Sequence, residues 1–264
     1  MLALGAIVPH SPLLAPNIGK DKRDLLTQTL RAYRELEERM YTMGIETLVI
    51  ISPHAPSFND AFSANLSPRY QGSLADFGDH ETVAHAQCDL RLLDDIRADL
   101  RNAKDLPFGL TTSETLDYGF TIPLLFLTRH LKAFRLVPIA PSRLSARAHA
   151  DFGVMIRASI ERTNKRVAVI ASADLSHRLN SHSPEGASVE GPAFDATIRS
   201  KTQALDIDAL IAMDAEAVEA SGQCGYRPIL MLLGCFGGMQ ARATELAYEA
   251  PFGVGYLTMM IEPA

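Results

Sequence analysis

Three of the eight histidines lie within a few residues of the end of a run that predicts a buried β-strand. The run Leu2–Val8 leads to His10, Glu46–Ser52 leads to His54, and Val167–Ala171 leads to His177. In open α/β sheets, ligands bind in the crevice beyond the carboxyl ends of the strands, so we expect these imidazoles to meet. Imidazole is the commonest metal ligand and exchanges protons near neutral pH. The pattern therefore predicts a metal or acid–base centre.

Two of these histidines share a local frame of prolines. His10 and His54 each stand directly after one proline and two residues before another, in the segments Pro9–Pro12 and Pro53–Pro56. Proline fixes its own φ and pushes the residue before it towards extended backbone, so such a frame can hold an imidazole as a ligand. For one such histidine alone, a surface loop or a satisfied buried position is the simpler interpretation. Two matching frames at two strand ends favour metal binding.

The third histidine has a carboxylate close by in the sequence. Asp174 lies three residues before His177. A carboxylate beside an imidazole can select its tautomer and raise its basicity, which suits a general acid/base or a metal ligand. Asp174 can also cap a helix or turn that follows it, and the two roles are compatible.

One of the three cysteines lies where a thiol could do chemistry. Cys224 is in a loop just before the apolar run Tyr226–Phe236, which predicts a helix. A thiol near a helix N-terminus can act as a ligand or nucleophile, whereas most free cysteines are small buried hydrophobic residues. Cys88 and Cys235 fall within predicted helices and fit the buried interpretation. Glu219 could supply a carboxylate near Cys224, but its helical Ala/Glu run favours a solvated face.

The other five histidines lack rigid frames, and we predict them to be mostly surface residues. They are His80, His85, His130, His149 and His182. Only His182 follows closely on the His177 motif.

Helical periodicity alternates with the predicted strands along the chain. Two further strands are predicted, Phe134–Ile139 and Gly253–Met260. Helices are predicted over Asp21–Met43, Cys88–Asn102, Ile122–Leu131, Ala146–Thr163, Gly191–Ala204 and Tyr226–Phe236. This alternation, with nearly continuous apolar strands, predicts an α/β fold with a central mixed, largely parallel sheet flanked by helices on both faces. No repeat or long linker divides the chain, so we expect a single domain over residues 1–264.

Composition excludes several classes of protein. Apolar residues make up 47% and charged residues 21% of the 264 residues, which is typical of a globular chain. The net charge of −6 and the lack of a long basic run argue against nucleic-acid binding. No window is apolar enough for a membrane helix, and an odd number of cysteines without a signal peptide predicts a cytoplasmic protein. We expect a homo-oligomer, since dimers are the commonest state of soluble enzymes.

Motifs for other kinds of chemistry are absent. The sequence has no GxGxxG after the first strand and no Walker A lysine loop, so nucleotide binding has little support. GxSxG is absent as well, which weakens the case for a serine hydrolase.

Taken in order, the motifs resemble the class III extradiol dioxygenase superfamily with the LigB-type fold, and more closely its Memo-like branch, known in bacteria as AmmeMemoRadiSam system protein B. The resemblance covers nearly the whole chain. Its carriers are Val8–Leu14, Ser52–His54, Leu116–Gly119 with Pro123 and Leu124, Ser172–His177, Cys224–Pro228 and Pro251–Tyr256. Each motif is weak alone, but the order is specific.

The resemblance implies a metal-dependent oxidoreductase with a non-haem Fe(II) site. His10 and His54 match the two histidine ligands of the ring-cleaving members, and His177 matches their acid/base histidine. A facial set of two histidines and a carboxylate leaves open positions for a catecholate and for O₂. A neighbouring histidine can take a catechol proton.

Two positions depart from the ring-cleaving pattern. Cys224 stands where a ligand carboxylate is expected, as in the Memo-like branch, and a thiolate also suits zinc or copper. Tyr118 replaces a second active-site histidine; it can donate a hydrogen bond but does not titrate near neutral pH. The resemblance thus assigns His10, His54 and Cys224 to the metal, and His177, Asp174 and Tyr118 to catalysis.

Two hypotheses follow from this set of residues. The first is a dioxygenase that cleaves a small catechol-like aromatic with O₂. The second is a Memo-like metal-binding protein that lacks ring cleavage and works with partner proteins.

Overall fold

A computed structural model describes residues 1–131 and 133–264 of the chain. The strands are β1 Leu2–Val8, β2 Thr47–Ile51, β3 Phe62–Asn65, β4 Arg69–Leu74, β5 Asp79–Gln87, β6 Phe108–Thr111, β7 Thr115–Leu116, β8 Arg135–Ala140, β9 Val167–Ser172, β10 Ala241–Glu249 and β11 Tyr256–Pro263. The helices are α1 Pro16–Gly19, α2 Thr27–Met43, α3 Leu90–Leu100, α4 Tyr118–Leu127, α5 Ala146–Glu161, α6 Glu190–Gln203, α7 Ile207–Ile211, α8 Ala215–Ala220 and α9 Tyr226–Phe236.

Eight strands form one sheet in the order β10-β11-β1-β9-β2-β8-β3-β6. Its centre is parallel: β9 pairs with β1 on one side and β2 on the other, and β2 pairs with β8. Antiparallel pairs of β11 with β1 and of β3 with β8 flank this centre. Every residue of β1, β2 and β9 is buried, as expected for parallel strands covered on both sides.

Helices cover both faces of this sheet. α2 and α4 contact each other and the central strands on one face, whereas α5 and α9 contact each other and β1 on the opposite face. α5 and α9 cross closely because Gly153 and Gly234 meet there, where a Cβ would lie 2.0 Å from a backbone carbonyl oxygen of the other helix. The predicted fold class, a mixed and largely parallel sheet between helices, is confirmed.

A second sheet of three strands, β5-β4-β7, packs on α4. We did not predict these strands, nor β3, β6 and β10. In β4 buried and exposed positions alternate, and Gly72 is at the position where β4 approaches Thr121 of α4. These strands carry a weak apolar signal for two reasons. β3, β4, β6 and β7 are only two to six residues long, and β5 and β10 bury only three and two of their nine residues.

The start of α4 differs from its prediction. We predicted a helix from Ile122, but α4 begins at Tyr118 because the Asp117 carboxylate accepts a hydrogen bond from Gly119 N at 2.7 Å. The prediction for Cys88 was also wrong in part, since Asp89 caps α3 and leaves Cys88 outside the helix. Cys88 is nevertheless buried, as predicted.

Other boundaries agree more closely. α9 spans the predicted residues, and α2 ends as expected at Gly44, whose φ of 63° requires the left-handed region. The first residues of the predicted helix Asp21–Met43 form a 3₁₀ turn, Lys20–Leu26, instead of α-helix. In the described part of the chain, no helix is both long and apolar enough to cross a membrane.

Candidate metal centre

The candidate metal centre lies at the carboxyl ends of three adjacent parallel strands. β9 runs between β1 and β2, so the segments after these strands meet at one edge of the sheet. His10 Nε2 lies 3.0 Å from His54 Nε2 and 3.5 Å from Cys224 Sγ. All three ligand atoms lie within 4.8 Å of one another. The tertiary structure therefore brings together the three residues that we predicted as metal ligands.

The hydrogen bonds of His10 fix its tautomer. Ser172, the last residue of β9, donates its hydroxyl hydrogen to the Gly119 carbonyl at 2.5 Å. Because that hydrogen is already used, the Ser172 oxygen can only accept a hydrogen bond from His10 Nδ1, which lies 2.9 Å away. With the proton on Nδ1, the Nε2 lone pair of His10 faces His54 and Cys224. A histidine whose other nitrogen donates in this way is the usual form of a metal ligand.

Both histidines are held in the neutral form that a metal requires. Burial is the main cause that lowers the pKa of His10 to about 3 and that of His54 to about 4. Positive charge on a neighbouring histidine, His177 for His10 and His10 for His54, is the second cause. Near neutral pH their nitrogens are thus available as ligands.

Two of the three separations between the donor atoms match those around a single transition-metal ion. Two nitrogens bound to one such ion lie about 2.9 to 3.4 Å apart, and a nitrogen and a thiolate sulfur about 3.1 to 3.6 Å apart. The two separations measured from His10 Nε2, 3.0 Å to His54 and 3.5 Å to Cys224, fall in these ranges. All three donor atoms lie within 4.8 Å of one another. Two imidazole nitrogens and a thiol sulfur form a donor set that suits a transition-metal ion.

Cys224 is half-buried beside the loop that follows β9. Its Sγ lies 3.6 Å from the Asp174 carbonyl oxygen. Gly225 allows this approach, because a Cβ there would lie 2.7 Å from the Ala173 side chain. Burial, with the nearby Asp174 carboxylate, raises the pKa of the Cys224 thiol well above its usual value. The thiol is therefore protonated until a cation displaces the proton.

Tyr118 contacts the centre from the N-terminus of α4. Its hydroxyl lies 2.9 Å from His54 Nε2, and its ring stacks on the His54 ring at 4.4 Å between centroids. Burial raises the pKa of Tyr118 well above its usual value, so it stays a neutral hydrogen-bond donor. Phe77 packs edge-on against the Tyr118 ring, with 5.1 Å between the ring centroids.

Asp117 and Ser52 tie Tyr118 to the His54 loop. Ser52 Oγ donates to Asp117 Oδ1 at 2.8 Å and accepts from His54 N at 3.3 Å. Asp117 therefore caps α4 and also holds the loop that carries His54. We did not single out Asp117, Ser52 or Ser172 from the sequence. A signal was present, since one serine ends each of two apolar strands and an aspartate precedes an apolar helix.

Asp174 packs against His10 rather than against His177. Its Oδ1 accepts a hydrogen bond from His10 N at 2.9 Å, and its Oδ2 lies 3.8 Å from His10 Nε2. The residues directly after Asp174 form no helix, and the backbone N–H that its carboxylate accepts from is that of His10 and not one in the following segment. Burial raises the pKa of Asp174 to about 6, partly offset by the positive charge of His177.

His177 lies at the edge of the centre and is half-buried. Its Nδ1 is 3.5 Å from Glu185 Oε1, so its nearest carboxylate belongs to Glu185 and not to Asp174 as the sequence suggested. When protonated, it acts on the centre through its positive charge, which lowers the pKa of both His10 and His54.

Of the five histidines predicted as surface residues, His149 is buried and the prediction for it is wrong. Its Nδ1 bonds to the Ser145 carbonyl at 2.8 Å, and its ring packs on Phe62 in the core. It is a satisfied core histidine. His80, His85, His130 and His182 are exposed. Glu219 is exposed on its helix, as predicted, and Cys235 is buried in α9.

Known proteins share this sequence pattern and fold. The family model "Catalytic LigB subunit of aromatic ring-opening dioxygenase" matches residues 4–259. The chain is 26% identical to Protein CA_C1420 of Clostridium acetobutylicum over 97% of its own length, and it spans 56% of that relative. It is 24% identical to the 3,4-dihydroxyphenylacetate 2,3-dioxygenase of Escherichia coli over 67% of each protein.

A solved structure supports the same assignment of fold. The uncharacterized protein JW3007 from Escherichia coli K12 superposes with a TM-score of 0.68 at 16% identity, covering 98% of this chain and 99% of that one. The family match extends over nearly the whole chain and includes all three strand ends that form the centre. The chain therefore belongs to the LigB family, that of the catalytic LigB subunit of aromatic ring-opening dioxygenases.

Proposed function

We propose that this protein is a metal-dependent oxidoreductase that opens the ring of a small catechol-like aromatic with O₂. In this reaction both oxygen atoms of O₂ enter the product, and the carbon–carbon bond beside the two hydroxyl groups breaks. The observation that carries the proposal is the convergence of His10 Nε2, His54 Nε2 and Cys224 Sγ next to a half-buried histidine. Family membership and the likeness to a dioxygenase support it.

His10, His54 and Cys224 would hold the ion, for which we propose Fe(II). When bound, Fe(II) supplies the redox chemistry that joins O₂ to the substrate and open positions for both. Zinc and copper suit the same donors, because a thiolate is softer than a carboxylate. The Asp174 carboxylate, beside His10, offsets the positive charge that an ion would bring.

The chain's own groups would handle protons and orientation. His177 takes the proton of a substrate hydroxyl as general base. Tyr118, held beside His54 and neutral, donates a hydrogen bond to an anionic substrate oxygen. The exposed ring of Phe77, packed edge-on against Tyr118, borders a cavity of about 190 Å³ between α4 and the small sheet, where an aromatic substrate could extend.

A second candidate function rests on Cys224. The ring-cleaving pattern has a carboxylate at this point, whereas a thiolate is typical of the Memo-like branch. On this alternative the protein binds zinc or copper, lacks ring cleavage and acts with partner proteins. The likeness to a relative of nearly twice this length is compatible with either function.

The deciding experiment is metal analysis of protein purified without oxygen, followed by a panel of catechols with Fe(II) and O₂. The first function predicts one iron per chain and a coloured ring-opened product. Zinc or copper in place of iron, or no turnover of any catechol by the iron-loaded protein, would contradict it and favour the second.

Variants make the experiment specific for the site. His10→Ala and His54→Ala should each remove the metal, whereas the exposed His182→Ala serves as a matched control and should keep it. Cys224→Asp restores a carboxylate ligand and should shift the preference from zinc towards iron. Unchanged metal content in both ligand variants would refute the site itself.

A further inference from the structure

The carboxylate of Glu185 lies between His177 and Arg178, within ion-pair distance of the first and hydrogen-bonded to the second. Its Oε1 is 3.5 Å from His177 Nδ1, and its Oε2 accepts a hydrogen bond from Arg178 Nε at 3.1 Å. The Glu185 backbone N–H also donates to the His177 carbonyl at 3.4 Å. The two residues are thus joined through both side chain and backbone, although eight positions separate them in the sequence.

Arg178 is anchored on the opposite side, to the turn that precedes Cys224. Its Nη1 donates to the Ala220 carbonyl at 3.3 Å. Gly222 lies under the Arg178–Glu185 pair with φ of 65°, and a Cβ there would come within 2.8 Å of atoms of both side chains. The ion pair therefore sits on a glycine turn that only a residue without a side chain fits.

The loop that carries Glu185 is itself fixed. Ser183 is buried and donates its hydroxyl hydrogen to the Gly253 carbonyl at 2.7 Å. Ser188 N donates to the Arg178 carbonyl at 2.9 Å and closes the loop at its other end. The backbone on either side of Glu185 is thus fixed, and its carboxylate is held by Arg178.

We propose that Glu185 is a positioning residue for His177, which it orients by accepting the Nδ1 hydrogen while Arg178 holds the carboxylate in place. Nε2 is then the nitrogen that exchanges a proton with the substrate. This inference rests on the proposed role of His177 as general base. It assigns to Glu185 the role that we predicted for Asp174, whose carboxylate accepts a hydrogen bond from His10 N.

The chemistry of an imidazole requires such a partner. In a neutral histidine one nitrogen carries the hydrogen and the other accepts, and the hydrogen-bond partner decides which. The charged and titratable groups that act on His177 are Glu185 and Arg178 from its own loop, Asp174, Asp195 of α6, and His10 and His54. Among these, Glu185 has the carboxylate oxygen at Nδ1.

The test uses Glu185→Leu, which keeps the bulk of the side chain and removes the acceptor. In protein labelled with ¹⁵N-histidine, with and without zinc, we expect the neutral His177 signal to move from the Nδ1–H form towards the Nε2–H form. With iron and a catechol substrate, kcat should fall roughly ten- to a hundred-fold, the range for loss of such a supporting partner, while KM stays within two-fold.

Two further variants complete the design. Glu185→Gln keeps an oxygen that can accept the Nδ1 hydrogen and should restore most of the tautomer ratio and of kcat. Glu219→Leu, at an exposed glutamate of α8, is the matched control and should change neither.

An unchanged His177 tautomer in Glu185→Leu would overturn the proposal. If the tautomer changes as expected but no variant, including the parent protein, turns over a catechol, the positioning role stands and the proposed ring cleavage fails. The two results are therefore distinguishable.

Discussion

At the scale of single residues, Ser172 decides what His10 can do. Its hydroxyl has one hydrogen, which it gives to Gly119, so it can only accept from His10 Nδ1. We predict that Ser172→Ala weakens metal affinity roughly 10- to 100-fold, because His10 then loses the partner that keeps its Nε2 lone pair towards the centre. Competition titration with a chelator measures this, and the exposed Ser200→Ala is the control. Equal affinities in the two variants would contradict the tautomer assignment.

A second prediction at this scale concerns the thiol of Cys224. Because burial keeps Cys224 protonated, binding of a divalent ion near pH 7 should release about one proton per chain. Calorimetry in buffers of different ionisation enthalpy measures the number of protons. Cys224→Ala should release none, whereas Cys88→Ala, at a buried cysteine away from the centre, should release the same number as the parent. If the Cys224→Ala variant still releases a proton on metal binding, another group is the ligand.

At the scale of elements, the cap of α4 links stability to the site. Asp117 accepts from Gly119 N and from Ser52 Oγ, so it fixes the helix start that presents Tyr118 and the loop that holds His54. We predict that Asp117→Ala lowers the free energy of unfolding by about 1 to 2 kcal/mol, as for other lost N-caps, and also weakens metal binding. Chemical denaturation and chelator competition give the two values.

A matched control exists in α8. Asp214 caps that helix by accepting from Ala217 N at 2.8 Å, on an exposed surface. Asp214→Ala should cost a similar free energy but leave metal affinity unchanged. If both variants bind metal equally well, the link between the α4 cap and the centre is refuted.

At the scale of the whole molecule, a buried carboxylate joins three parts of the fold. Asp195 of α6 accepts from Ser176 N at 2.8 Å and from Tyr248 Oη of β10 at 2.6 Å. Burial raises the pKa of Asp195 to about 6, although Tyr248, Ser176 and the charges of Arg199 and His177 oppose the shift. The folded state therefore favours the protonated acid more than the unfolded chain does.

Because of Asp195, the folded state becomes less stable relative to the unfolded chain as the pH rises. The contribution of Asp195 to stability is complete below pH 4 and is lost as the pH rises through about 6. Between pH 4 and 7 we expect the parent protein to lose about 2 to 3 kcal/mol of unfolding free energy relative to Asp195→Asn. Asp174, whose pKa shift has the same direction, is present in both proteins and cancels. Parallel pH profiles from chemical denaturation would contradict this prediction.

Several predictions about the whole molecule stay predictions. These are the extent of a single domain over residues 1–264, the homo-oligomeric state, the cytoplasmic location and the absence of nucleic-acid partners.

Local sequence determined much of this protein. The apolar runs of β1, β2 and β9 fixed the parallel centre, because only strands buried on both faces are apolar throughout. Proline frames and strand ends mark His10 and His54 from the sequence alone, since both signals lie within a few residues of each other. The same holds for the Gly44 cap and for α9.

The tertiary structure decided which groups face one another. That β9 lies between β1 and β2 could not be seen in the sequence, and this order is what brings Ser172 to His10 and Cys224, more than two hundred residues away in sequence, to the same imidazole. It also places Asp174 beside His10 and Glu185 beside His177, whereas proximity in sequence suggested Asp174 as the partner of His177. Residue type and local pattern limit what a side chain can do, but its partner is set by contacts between distant segments, which depend on how the whole chain packs.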